Sequence, residues 1–266
     1  MKVQRILVVI ALAVTVLTGC GSDDSAADES TTTSIATSIA TSTTATPAET
    51  TITTSGSSET TSSTTTPASS TTALAGEPID IGPLEGDIVA VVGVEFDDVL
   101  NVRDEPGVSG TIVATAGPLT DDMIAAGSAW RRSESIWYEV TVSGTTGWVN
   151  SRFVAYLGSV DDVTSAVVTT LGSTPTADSM LELGRIVADT HASVDAEVES
   201  TITVTVAPTT GDLGEVTYDV IGLADDSQIG TRLHVFATPG DGGGFTLKSV
   251  ESTVLCGRGV SDGLCV

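Results

Sequence analysis

The sequence predicts a multi-domain chain: a disordered stalk, a small all-β domain, then an α+β domain of two helices and an antiparallel sheet. Three observations carry this. Residues 30–72 contain 30 Ser or Thr in 43 positions and no aromatic, too little apolar surface to offset the entropy of ordering. Residues 99–154 alternate apolar and polar side chains with period two, and seven of the chain's ten aromatics fall within residues 96–156. From Gly158 the apolar residues recur at helical spacing, then return to period two from Glu197.

At the start, Lys2 and Arg5 precede an apolar run over residues 6–17. Charge followed by a run of this length reads as a secretory leader, too short for a comfortable membrane span. The run ends Leu17-Thr18-Gly19-Cys20, which resembles the bacterial lipobox. That resemblance implies cleavage before Cys20 and lipid on its thiol; a plain leader is the alternative. Residues 1–20 are therefore read as a lipoprotein signal, and 21–76 as stalk. A flexible coil of about fifty residues spans roughly 40 Å. Threonines beside Pro47 and Pro67 are candidate O-glycosylation positions, though an unmodified linker would serve the same reach.

Charge narrows the partners. The chain has 35 Asp and Glu against 10 Lys and Arg. Losing Lys2 and Arg5 with the leader leaves a formal −27. Such a surface argues against nucleic acid and against charge-driven docking on anionic lipid or wall polymers. Asp pairs recur (Asp97-Asp98, Asp121-Asp122, Asp161-Asp162, Asp225-Asp226), but no Asp-x-Asp-x-Asp-Gly loop accompanies them. They read as solvated turn or cap residues, with no metal or cofactor expected.

The all-β domain, residues 77–157, opens with an apolar strand near residues 88–92. Leu100-Asn101-Val102-Arg103 follows, with a turn at Pro106-Gly107 and a strand over 111–115. Residues 117–127 form an acidic insertion in which 120–126 fit one helical turn capped by Thr120 or Asp121. Strands over 136–142 and 147–153 flank Ser143-Gly144-Thr145-Thr146, a hairpin signal. Leu100-Asn101-Val102-Arg103 with its Pro-Gly turn, and Trp137-Tyr138-Glu139-Val140 with Gly144-Thr145-Thr146-Gly147-Trp148-Val149, resemble the bacterial SH3-like (SH3b) family. The match covers about a quarter of the chain. It implies an SH3-like barrel that engages peptidoglycan or its stem peptides, and the insertion departs from the family pattern. The expected ligand surface is Trp130, Trp137 and Tyr138, aided by Arg131 and Asn150. Trp130 follows Gly-Ser-Ala, read as a loop, and precedes Arg131-Arg132. Aromatic stacking beside guanidinium groups suits a sugar or a peptide carboxylate; the arginines pairing with nearby carboxylates is the competing reading. For Trp148, core or hairpin packing is favoured.

The α+β domain, residues 158–266, belongs to no family we recognise. Ser159 is read as the cap of a helix placing Val160, Val163, Val167 and Leu171 on one face, ended by Gly172. Met180, Leu183, Gly184, Val187 and His191 trace a second helix. Val198, Ile202, Val204 and Val206 then share one strand face, and Thr201, Thr203 and Thr205 the other. Strands follow over 215–223, 230–238 and 244–256, with the helices on the apolar face.

Catalysis is not expected. Cys256 and Cys265, on an oxidising side of the membrane, read as a disulfide closing a short loop. Cys256-Gly257-Arg258 weakly resembles the Cys-x-Arg of wall-crosslinking transpeptidases, but Thr253, Val254 and Leu255 stand where that family has Ser-x-Gly before the Cys. Two histidines, His191 and His234, cannot make a three-His zinc site, and no His-Glu-x-x-His occurs. Two functions remain: a membrane-anchored wall-binding lipoprotein, or a lipoprotein whose domains dock another envelope protein.

Overall fold

The computed structural model describes residues 75–193, 198–223 and 225–266, all within one compact unit, Ala68–Val266. The leader, the lipidation position Cys20 and nearly all of the stalk lie outside the described residues.

Thirteen strands form one mostly antiparallel sheet. The first part comprises β1 (Glu77–Ile79), β2 (Ile88–Val91), β3 (Leu100–Arg103), β4 (Ile112–Ala116), β5 (Met123–Arg132), β6 (Ser135–Val142) and β7 (Thr145–Asn150), followed by a 3₁₀ turn at Ser151–Phe153. β8 (Val154–Asp162), α1 (Thr164–Leu171), β9 (Thr176–Ala177) and α2 (Met180–Asp189) follow. Then come β10 (Thr201–Thr210), β11 (Gly214–Ile221), β12 (Gln228–Pro239) and β13 (Phe245–Cys256). A small separate ribbon pairs β14 (Val260–Ser261) with β15 (Leu264–Cys265). The order across the large sheet is β10-β11-β12-β13-β8-β2-β5-β6-β7-β3-β4, with β1 on β5 and β9 on β13.

The expected barrel does not close. β2 divides its ladder: Ile88 and Val89 pair with β5, while Ala90 and Val91 pair with β8. That leaves it no free edge for β4, which pairs only with β3 among the described residues. The division at Leu157/Gly158 falls inside β8, whose first residues pair with β2 and whose remainder pairs with β13. One strand therefore serves both halves of the sheet.

Local chemistry explains most elements. The β6–β7 hairpin turns on Ser143-Gly144 alone, both at positive φ, the conformation a two-residue hairpin needs. α2 starts at Ser179, whose side chain accepts from the Glu182 amide at 3.1 Å. Gly184 sits on its buried face because a Cβ there would lie 2.4 Å from the Tyr218 ring. The helix therefore approaches the sheet closely at a propensity cost of about 1 kcal/mol. α1 departs from expectation at its start. Residues 159–162 stay in the ladder with β13, so Ser159 is no cap, and Asp162 instead accepts from the Thr164 amide at 2.9 Å. Residues 120–126 form no helical turn, because β5 begins at Met123, which is fully buried and pairs with Val89 of β2.

Three cores result. Val167, Met180, Leu183 and Val187 meet Val216, Tyr218, Leu233, Val235 and Val250 under the helices. Val89, Val102, Met123, Val140 and Val149 fill the first half. Val92, Ala155 and Leu255 join them. At that junction Asp219 takes Nε of Arg232 at 2.7 Å and the Gly93 amide at 2.8 Å, while Nη2 of Arg232 reaches the Val91 carbonyl at 2.8 Å. The ion pair bolts β11 and β12 to the segment after β2.

Candidate functional site

The strongest convergence of polar and aromatic side chains surrounds the Ser151–Phe153 turn. Asn150 caps it, its Oδ1 accepting from the Arg152 amide at 3.1 Å, so four consecutive residues are held in one defined bend. Three concavities meet there. A groove of about 280 Å³ is lined by Asn150, Phe153, Trp137, Asn101, Arg103 and Val108. A wider saddle of about 630 Å³ contains Asn150, Ser151 and Arg152 with Arg131, Arg132 and Glu134. A third, of about 390 Å³, lies toward the other half of the sheet between Ser151, Arg152, Phe153, Tyr138, Ile221 and Ile229.

Strand register decides how the expected residues relate. Trp130 stands opposite Trp137, and Trp137 opposite Asn150. Directly opposed residues share a face, so these three form one row across β5, β6 and β7. Arg131 and Tyr138 alternate to the other face.

Each has a distinct environment. Trp130 is not on a loop: Ala126-Gly127-Ser128 is absorbed as a bulge within β5, between the paired residues Ala125 and Ala129. Its ring is half-buried, meets Trp148 edge-on at 6.5 Å, and donates Nε1–H to the Ala75 carbonyl at 3.2 Å. Trp137 is only 4% exposed, with Nε1 donating to Ser135 Oγ at 2.9 Å. It forms the groove's floor rather than a protruding platform. Val108 lines the same groove, and its loop is tied to β5 by Arg132 Nη1, which donates to the Pro106 carbonyl at 2.5 Å. Glycine suits position 107, where φ is +133° and a Cβ would crowd that same guanidinium. Tyr138 is half-buried, its hydroxyl pKa raised by desolvation and partly relieved by a hydrogen bond to Ser151. Arg131 is exposed, its Nη1 3.6 Å from Glu77.

Arg152, Ser151 and Phe153 were missed as site residues by the sequence reading, and Arg132 was noted only as the neighbour of Arg131. A signal existed: arginines are scarce in this chain, and Arg152 closes the same aromatic-rich stretch as Arg131-Arg132.

Elsewhere, Cys256 and Cys265 are disulfide-bonded, their Cα atoms 5.2 Å apart. Neither histidine meets a free thiol. His191 is half-buried at the end of α2, its pKa lowered by burial. His234 lies against Phe236, ring centroids 4.0 Å apart, and 3.4 Å from the Glu215 carboxylate. Among the described residues no group of three or more His, Cys, Asp or Glu is placed to hold a metal, and no helix is long and apolar enough to cross a membrane. No family model, curated protein or solved structure matches this chain.

Proposed function

We propose that the chain is an extracytoplasmic lipoprotein, anchored through Cys20, that binds the cell wall through the surface around the Ser151–Phe153 turn. It acts by binding rather than catalysis and takes no cofactor. In this reading residues 77–157 are an SH3-like module, opened by its shared strand β8, and residues 158–266 are an α+β domain that buttresses it. The observation that carries the proposal is the Trp130–Trp137–Asn150 row, which leads from an aromatic pair into two concavities that Asn150 joins. Peptidoglycan presents sugars and short peptides, ligands held by aromatic walls with a few directed polar groups.

The test is co-sedimentation of the full-length protein, in detergent, with purified sacculi. Asn150→Ala should weaken retention about tenfold while thermal unfolding changes little. Sacculi that retain neither protein sink the wall reading. Cys20→Ala should release the protein from the membrane, and normal processing with unchanged retention would refute the anchor.

One observation favours an envelope-protein partner as the second reading. Ile88 and Ile124 are cross-strand partners, 64% and 49% exposed, beside Leu84 at 73%. An apolar patch of this kind suits protein docking.

A further inference from the structure

With ten basic residues against 35 acidic ones, an arginine of this chain should readily find a carboxylate, and several do. Arg185 bonds Asp189 at 2.8 Å, Arg232 bonds Asp219 at 2.7 Å, and Arg258 bonds Asp226. Four described basic residues do not: Arg103, Lys248, Arg132 and Arg152, and the last two share one concavity. Arg131, Arg132 and Arg152 line the single saddle between the β5–β6 turn and the Ser151–Phe153 turn. Among the described residues no carboxylate oxygen lies within 4.0 Å of the Arg132 or Arg152 guanidinium, and Arg131 has only Glu77, at 3.6 Å. Arg132 and Arg152 thus bring uncompensated positive charge to one concavity, which an anion would neutralise.

Two of the three are already oriented. Arg132 spends one nitrogen on the Pro106 carbonyl, which fixes its fork. Arg152 lies 5.2 Å over the Phe153 ring, on a turn that Asn150 caps. Ordering of this kind lowers the entropic cost of binding.

We infer that this saddle binds the free carboxylate of a short peptide. The inference rests on the wall-binding reading for the source of that peptide and deepens it by naming the group recognised. Planar guanidinium forks match a carboxylate's two oxygens. Glu134 lines the same saddle, which lowers its appeal to a doubly charged phosphate and supplies an acceptor for an N–H of the peptide. Ser133 and Ser151 add hydroxyls at its rim.

The test uses the full-length protein in detergent, titrated with N-acetyl-D-alanyl-D-alanine, with its C-terminal amide, and with inorganic phosphate. The free acid should bind at least tenfold more tightly than the amide. Arg152→Gln should weaken the acid about tenfold, as loss of a charge-assisted pair implies. Arg258→Gln, which removes an arginine already held by Asp226, should leave binding unchanged. The Arg152 side chain is exposed, so unchanged thermal unfolding is expected and verifies the fold. Equal affinity for acid and amide, or tighter binding of phosphate, overturns the inference. No binding of the acid by a protein that still binds sacculi overturns it too, and spares the wall reading. Binding of the acid without binding of sacculi keeps the carboxylate site and removes the wall as its source.

Discussion

The two halves of the sheet treat their faces differently. In β11 and β12, Val216, Tyr218, Val220, Leu233 and Val235 point to the helices and form a core that their alternation marks directly. In β6 and β7, Val140, Val142 and Val149 form an equally plain apolar face. Yet Trp137, on the opposite face, is nearly as buried, at the bottom of a groove that Val108 also lines. Alternation reports which side chains share a face; it does not report whether that face meets water. The same lesson recurs on β11, where Asp219 is buried and accepts from the Gly93 amide rather than being solvated.

The contrast breaks most visibly at the junction. Asp219 has no exposed side-chain surface and Arg232 only 11%, so Asp219→Ala leaves a desolvated guanidinium without its partner. That should cost about 3–5 kcal/mol, and urea unfolding should separate into two transitions as the halves uncouple. A loss below about 1 kcal/mol, the range of a surface pair, would place the coupling elsewhere.

The covered outer face is tested by comparing two tryptophans of the same row pair. Trp137→Ala should cost about 3–5 kcal/mol, as for other buried large side chains. Trp148→Ala should cost about half of that, since its ring is half-buried and its edge-on contact with Trp130 is worth about 1 kcal/mol. Equal losses in chemical denaturation would erase the distinction between floor and wall.

At the C-terminus, Cys256→Ser should lower stability by about 2.7 kcal/mol if loop closure governs the effect. Calorimetry with and without reductant checks this, and an unchanged transition temperature counts against it.

The smallest effect concerns His191. Burial holds its imidazole below the ordinary value, about 6.5, so the unfolded chain binds the proton more readily than the folded one. Its contribution to stability is therefore whole above about pH 6.5 and is lost as pH falls toward the depressed value. His191→Gln should flatten that part of the stability–pH curve, while identical slopes would assign the acid sensitivity to other groups.

Much of this molecule is written locally. Met180, Leu183 and Val187 at helical spacing, Ser179 before them and the period-two runs of β10 to β13 specify elements through backbone geometry and nearby hydrogen bonds. The proximity of Cys256 and Cys265 likewise made their pairing legible. Residue type also marked Trp130, Trp137, Tyr138, Arg131 and Asn150 as notable. It could not rank them, because burial of Trp137 and the opposite facing of Tyr138 follow from register and from tertiary packing. Nor could spacing reveal that β2 splits its ladder between β5 and β8, which opens the expected barrel. Only tertiary structure brings Arg152 beside Arg131 and Arg132, or lodges Asp219 against Gly93 across 126 residues. Such contacts depend on pairing between distant segments, whose cost is chain entropy and whose reward is shared burial, and neither is visible in a local window of sequence.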